Sequence, residues 1–198
     1  ILFRLVGSEM CIRDRSRPWI DKNEMSPMLP ISFKARDGLT VNGYLTVPKN
    51  SDGKNLPLII NPHGGPASRD VWGYNPEHQF FASRGYAVLS MNFRGSTGYG
   101  RSHVKMANGQ WGRKMQDDVT DSVNWAVDQG IADKDNVCIY GASYGGYAVM
   151  AGITKTPKMY KCAVNYVGVT DMGLLFSKMP KVWEIWEEQQ KIEIGDYD

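Results

Sequence analysis

VCIYGASYGGYAVMA, residues 137–151, is the stretch whose reading decides the fold. Val137 to Tyr140 is a run of β-branched, apolar and aromatic residues, the pattern of a short buried strand. Gly141-Ala142-Ser143-Tyr144-Gly145 follows as a G-x-S-x-G pentapeptide, and the apolar run after it is long enough for a helix. Strand, sharp turn and helix together push a serine out at the top of a sheet. Gly141 and Gly145 suit a turn with no room for a β-carbon on either side of a serine held in strained geometry. Ser143 is therefore the candidate nucleophile. The Tyr144 N–H, at the start of the helix, points where a carbonyl oxygen would become an oxyanion. A glycine-rich turn without chemistry is the plain alternative for the pentapeptide alone. The strand before it and the helix after it favour the nucleophile.

A second motif lies upstream, at the end of another strand. Leu56 to Asn61 is apolar on both faces, as a central strand covered by helices should be, and it runs into Asn61-Pro62-His63-Gly64-Gly65-Pro66. Gly64 and Gly65 let the backbone come close to a ligand, and an H-G-G element is a known source of a second oxyanion N–H. Two donors are needed because the tetrahedral oxygen carries nearly full charge in a dry site. Losing one such donor adds ~3 kcal/mol to the barrier.

The remaining segments alternate around these two. Arg17 to Pro30 is polar and punctuated by proline, which reads as a linker or docking segment. Ile31 to Arg36 and Leu39 to Val47 read as a hairpin turned at Asp37-Gly38, and Lys49 to Asn55 as a polar loop. Pro76 to Arg84 suits a helix closed by Gly85, and Tyr86 to Phe93 a buried strand. Asp117 to Gln129 reads as a helix with Val119, Val123, Ala126 and Val127 on one face and Gly130 as its stop. Cys162 to Val167 is one more strand. An antiparallel hairpin followed by alternating strands and helices predicts an α/β sheet, mostly parallel, with helices on both faces.

Composition excludes several classes. The 198 residues are 42% hydrophobic and 22% charged, an ordinary globular balance for one domain. A net charge of +2 points neither to nucleic acid nor to an anionic membrane, and no apolar run is long enough to span a bilayer. Cys11, Cys138 and Cys162 show no C-x-x-C spacing or disulfide framework, so the last two read as buried, reduced thiols. His63, His78 and His103 are the only imidazoles, with no H-E-x-x-H or Cys/His cluster, so neither metal nor cofactor is expected. Residues 1–15 have no strand or helix period. They resemble the translation of a sequencing-library adaptor fused in frame, and are set aside as structureless. Setting them aside removes three basic residues (Arg4, Arg13, Arg15) and two acidic ones (Glu9, Asp14), so the net charge stays near zero. Residues 16–29 are then the linker and 30–198 the catalytic part. Cytoplasmic and periplasmic locations both stay open.

The succession NPHGGP (61–66), FASRGYAVLSMNFRGSTGYG (81–100), WGRKMQDDVTDSVNWAV (111–127) and IYGASYGGYA (139–148) resembles the prolyl oligopeptidase family of serine peptidases, nearest its acylaminoacyl-peptidase-like branch. The resemblance runs from about Pro18 to the last residue. It implies an α/β-hydrolase catalytic domain, preceded in the family by a β-propeller that restricts access to short peptides. It also implies Ser143 as nucleophile, with Tyr144 and the H-G-G-P loop (Gly65, beside Gly64) as oxyanion donors. The dipeptidyl-peptidase branch has a tyrosine where His63 stands and uses its hydroxyl, so here a backbone donor is expected. Trp183 and Trp186 read, on the same resemblance, as part of a substrate-pocket wall.

Other features are set aside. Gly95 to Ser102 mimics a phosphate-binding P-loop but has Arg101 in place of its lysine and no clear helix after it, so packing near the site is expected instead. Asp117 and Asp118 look like a helix cap rather than a catalytic pair. The expected reaction is hydrolysis of short or N-blocked peptides through an acyl-enzyme, with a carboxylesterase on the same fold as the alternative. In α/β-hydrolases the triad acid and histidine follow the serine. Residue 198 lies only 55 positions beyond Ser143, and none of those positions is histidine. Asp171 is a conceivable acid and His103 an unfavoured base. The triad partners are thus expected beyond residue 198, the sheet to lack its last strands, and the chain alone to be inactive.

Overall fold

In the computed structural model, which describes residues 17–195, strands β1 (Met28–Lys34), β2 (Thr40–Thr46), β3 (Leu56–Ile60), β4 (Ala87–Asn92), β5 (Ala132–Ala142) and β6 (Cys162–Tyr166) form one sheet. Its spatial order is β1-β2-β4-β3-β5-β6. The pairs β1–β2 and β2–β4 are antiparallel, whereas β3–β4, β3–β5 and β5–β6 are parallel. The predicted hairpin is present, with a wider turn than two residues. Lys34 pairs Thr40, and Ala35 and Leu39 close the loop over Gly38, which sits at φ 85°. The first strand starts at Met28. Residues 1–15 lie outside the described residues.

Between the strands run α1 (Pro76–Ala82), α2 (Arg101–Lys105), α3 (Lys114–Asp128), α4 (Tyr144–Lys155), α5 (Met172–Ser177) and α6 (Glu187–Ile194). Side chains alternate across a strand, and β5 shows which helix covers which face. Ile139 reaches Gly152 of α4, while the next residue, Tyr140, meets Phe81 of α1 edge to face and donates to Glu77. Helices therefore cover both faces. The α4 face is the larger core: Leu58, Ile60, Leu89, Met91 and Ile139 meet Met115, Val119, Val123 and Ala126 of α3. Those four recur at the three- to four-residue spacing of one helical stripe.

Two local expectations change. Helix α3 begins at Lys114, three residues before the predicted start, and no side chain caps it. Asp117 and Asp118 are inside it, so they are not its cap. Asp118 is fully buried and paired with Arg94, while Asp117 pairs with Arg36. The second correction concerns the thiols. Cys138 and Cys162 are register partners in β5 and β6, with Cα atoms 4.7 Å apart, and they form a disulfide. Cross-strand partners present their β-carbons on the same face, a neighbourhood that 24 residues of sequence separation conceal. Cys162 is also exposed rather than buried, because β6 is the outermost strand of the sheet among the described residues.

Candidate functional site

Strand order reverses beside β3: the chain goes from β3 to β4 on one side and then crosses to β5 on the other. The loops leaving the carboxyl ends of β3 and β5 therefore meet, as expected for a crevice at a topological switch point. The first of these loops is His63-Gly64-Gly65 and the second is the serine turn. Asn61 ties them at the base, donating from Nδ2 to the Tyr140 carbonyl at 2.9 Å.

Ser143 has φ 57° and ψ −121°, outside the allowed regions for a non-glycine residue, and is exposed. Such a conformation is strained by ~1–3 kcal/mol and persists only where its surroundings dictate it. Here its N–H donates to the Tyr166 carbonyl of β6 at 3.1 Å, and its carbonyl accepts from Tyr147 N–H at 3.1 Å. Close backbone crossing completes the constraint. A β-carbon on Gly145 would strike the Pro62 carbonyl, and one on Gly141 would lie 2.5 Å from Gly145. These contacts are what the two glycines of the pentapeptide accommodate.

Tyr144 opens α4, so its N–H has no acceptor inside the helix. Its ring is sealed beneath the turn against Trp111 (4.6 Å), Phe93 (5.4 Å) and Tyr147 (5.7 Å), and burial raises its phenol well above the ordinary value. Gly64 comes close on the other side: a β-carbon built on it would lie 3.4 Å from Ser143 Cβ and 3.9 Å from Ser143 Oγ. Ser143, Tyr144, Gly64 and Gly65 thus share one small region.

The remaining candidates lie elsewhere. His63 packs face to face on Phe93 (4.3 Å, 18°), with Nδ1 2.7 Å from the Gly64 carbonyl and Nε2 2.8 Å from Ser96 Oγ. His78 donates from Nε2 to Asn61 Oδ1, beside the Thr46 hydroxyl, and burial lowers its pKa to about 4. His103 is buried in α2 with Nε2 3.3 Å from the Phe93 carbonyl. None of the three has a hydrogen bond to Ser143 among the described residues. Asp171 caps α5 by accepting from Leu174 N–H at 2.7 Å. Trp183 and Trp186 are exposed on the turn Lys181–Trp186. The glycine-rich loop is followed by a helix after all, α2, but one of only five residues. Through Ser96 the loop packs against His63 of the site. Among the described residues, no group of three or more His, Cys, Asp or Glu could hold a metal. No helix there is long and apolar enough to cross a membrane.

Sequence reasoning missed Asp70, in the segment after the H-G-G-P motif. Its backbone is clamped by Asn92, which accepts from Asp70 N–H at 2.7 Å and donates to the Asp70 carbonyl at 3.2 Å. Its carboxyl is buried, and burial pushes its pKa up from 3.8 to about 7, an effect the Ser90 hydroxyl beside it only partly offsets. Neither Asp70 Oδ2 nor Ser90 Oγ has a well-formed hydrogen bond. A folded pKa above the unfolded one means the stabilising contribution is full below about pH 4 and is lost as pH rises through about 7. Asp70→Asn should therefore raise the melting temperature at pH 8 and raise it much less at pH 4.5. Equal shifts at both pH values would refute this account.

The prolyl oligopeptidase family model matches residues 72–197. The chain is 43% identical over 188 residues to dipeptidyl aminopeptidase BIII of Pseudoxanthomonas mexicana, covering 91% of this chain and 27% of that protein. It is 28% identical to the acylamino-acid-releasing enzyme of Sus scrofa, covering 77% of this chain and 23% of that enzyme. In structure it resembles a puromycin-hydrolyzing peptidase of Mycobacterium tuberculosis, with a TM-score of 0.82 at 29% identity, over 89% of this chain and 27% of that one. The chain thus spans about a quarter of the length of these relatives. The sheet order, the serine turn and the matched residues agree: this chain belongs to the prolyl oligopeptidase family, peptidase family S9.

Proposed function

We propose that this chain is the nucleophile-bearing part of a serine peptidase that cleaves short or N-blocked peptides through an acyl-enzyme on Ser143. One observation carries the reading: an exposed serine held at positive φ, beside a Gly-Gly backbone, at the switch point of an α/β sheet. Ser143 Oγ attacks the scissile carbonyl as its proton passes to an imidazole. The tetrahedral oxygen is met by the Tyr144 and Gly65 N–H groups, and collapse expels the amine and leaves the ester. Water then repeats the sequence and frees the serine.

The imidazole and its carboxylate partner come from outside the described residues, because His63, His78 and His103 are each engaged elsewhere. An upstream β-propeller, a linker that ends where β1 begins at Met28 rather than at residue 29, an adaptor-derived stretch at 1–15 and a pocket wall containing Trp183 and Trp186 complete the proposal. The relatives' names, an aminopeptidase and an acylamino-acid-releasing enzyme, favour amide over ester substrates. In the full-length peptidase, N-acylated peptides and dipeptide amides should turn over with higher kcat/KM than p-nitrophenyl esters of matched side chain. Residues 1–198 alone should turn over neither. A preference for the esters would favour a carboxylesterase instead, and a steady-state rate from residues 1–198 that Ser143→Ala abolishes would refute the division of the triad.

A further inference from the structure

We infer that the Cys138–Cys162 disulfide is a thiol-reducible site whose opening unlocks the strand that holds the serine turn. Its effect on turnover rests on the reading of Ser143 as nucleophile. Strands β5 and β6 pair over five registers, from Cys138 with Cys162 at one end to Ala142 with Tyr166 at the other. The disulfide closes the first of these, and beside it Lys161 N–H donates to the Val137 carbonyl at 2.7 Å. Just past the last of them, Ser143 N–H donates to the Tyr166 carbonyl at 3.1 Å. The cross-link and the serine thus stand at opposite ends of one strand pair. Apolar burial does little to hold that pair together. Every residue from Cys162 to Tyr166 is exposed, and β5 is the only strand neighbour of β6 among the described residues.

Strain lies on both sides of the Ser143–Tyr166 contact. Ser143 sits at φ 57°, and Val167, directly after Tyr166, at φ 47°. Positive φ is an outlier for a β-branched residue, and such backbone persists only where its surroundings impose it. Beyond Val167 the chain lies against α4: a β-carbon on Gly146 would come 2.6 Å from Gly168 Cα. A shift of β6 therefore reaches both Ser143 and the helix that follows it.

The disulfide is open to attack at one sulfur. Cys162 is exposed and Cys138 half-buried, so an external thiolate meets the Cys162 sulfur first. The new bond is a mixed disulfide on Cys162, and Cys138 leaves as a thiolate that takes up a proton. With a dithiol reductant, the second thiolate closes on its own bound sulfur. The reductant departs as a cyclic disulfide, Cys162 is released as a thiol, and two electrons have passed to the cysteine pair. The covalent link across 24 residues is then gone, leaving the ladder alone to oppose the strain at Val167 and Ser143.

Two measurements test this. In this chain, dithiothreitol without denaturant should make Cys138 and Cys162 alkylatable, read by peptide mass spectrometry, while the far-UV circular dichroism is kept. The melting temperature should fall by roughly 10 °C, and the Ser143 amide should exchange its hydrogen about tenfold faster by NMR. Reduction only in denaturant, or unchanged Ser143 exchange once both thiols are alkylated, overturns the inference. In the full-length peptidase, reduction should lower kcat by about tenfold, the scale of one lost positioning hydrogen bond. KM should change by less than about threefold, and reoxidation should restore kcat. Cys138→Ser/Cys162→Ser should show the lowered kcat without reductant and no further response to it. Wild-type kcat in that variant, or an equal response to reductant, refutes the lock and spares the nucleophile. Turnover in Ser143→Ala refutes the nucleophile and leaves the exchange measurement to decide the lock. If the double variant does not fold, Ser143 exchange and the reversibility of the wild-type kcat still decide.

Discussion

Ser143→Ala in the full-length peptidase is expected to abolish labelling by a fluorophosphonate probe and to lower kcat by ~10⁴-fold or more. The size follows from the proposed chemistry, in which Ser143 Oγ would form the bond to the acyl carbon. The variant is also a clean one. Alanine keeps the β-carbon, so the strain at φ 57° is unchanged, and Oγ makes no hydrogen bond among the described residues that its removal would break. The Tyr166 and Tyr147 backbone contacts stay in place. Thermal stability should therefore move by no more than ~0.5 kcal/mol, which separates lost chemistry from lost fold. Residual catalysis from the oxyanion donors and binding alone would survive at a small fraction of the wild-type rate. Probe labelling that persists in the variant would assign the nucleophile elsewhere.

What the sequence disclosed and what it hid divide along a physical line. Features fixed by neighbours in the chain were legible. The serine turn shows itself because glycines are required within two residues of Ser143, and α1 because Asn75 caps Glu77 and His78 next to Pro76. The strands β3 and β4 show as apolar runs because both faces are covered. Features fixed by register or by burial were not. Cys138 and Cys162 become partners only once β5 and β6 align. Asp118 reads as an ordinary first-turn acid until β4 delivers Arg94 against it. The start of α3 was misplaced for the same reason: Arg113 offers no capping side chain, while the acids further in mimic one. The FRGSTGYG block (93–100) did carry a signal, and its expected packing near the site is realised by the Ser96–His63 hydrogen bond.

Asp118→Ala is expected to destabilise the chain by about 3–5 kcal/mol, because it removes one partner of a buried ion pair and strands the other. The Arg94 side chain is 5% exposed and that of Asp118 is 0% exposed. Asp118 accepts from Arg94 Nε at 2.8 Å, from Nη2 at 2.7 Å and from the Arg94 backbone N–H at 2.9 Å, so one substitution orphans three donors. Asp37, in the hairpin turn, accepts from the outer side of the same guanidinium at 2.8 and 3.1 Å but is partly exposed and cannot replace Asp118. Its bond to Arg94 lowers its carboxyl from 3.8 to about 2, so the stabilisation it lends is present above about pH 4 and is lost as pH falls toward 2. The Arg36 pairs with Asp117 and Asp121 provide the internal contrast: Arg36 is half exposed, and Arg36→Ala should cost no more than about 1 kcal/mol. Urea unfolding of the wild type, Asp118→Ala, Asp118→Leu, Arg94→Met and an Arg94→Met/Asp118→Leu double variant forms the decisive set. If the penalty is a stranded charge, the double variant recovers most of what either single loses, since an apolar pair of similar volume often replaces a buried ion pair without loss. Additive losses would show instead that the two side chains act independently. Arg94 stands two residues before Ser96, so an unravelled Arg94 also loosens the loop that holds His63. Asp118→Ala should accordingly lower kcat as well as stability, and the double variant should restore both together.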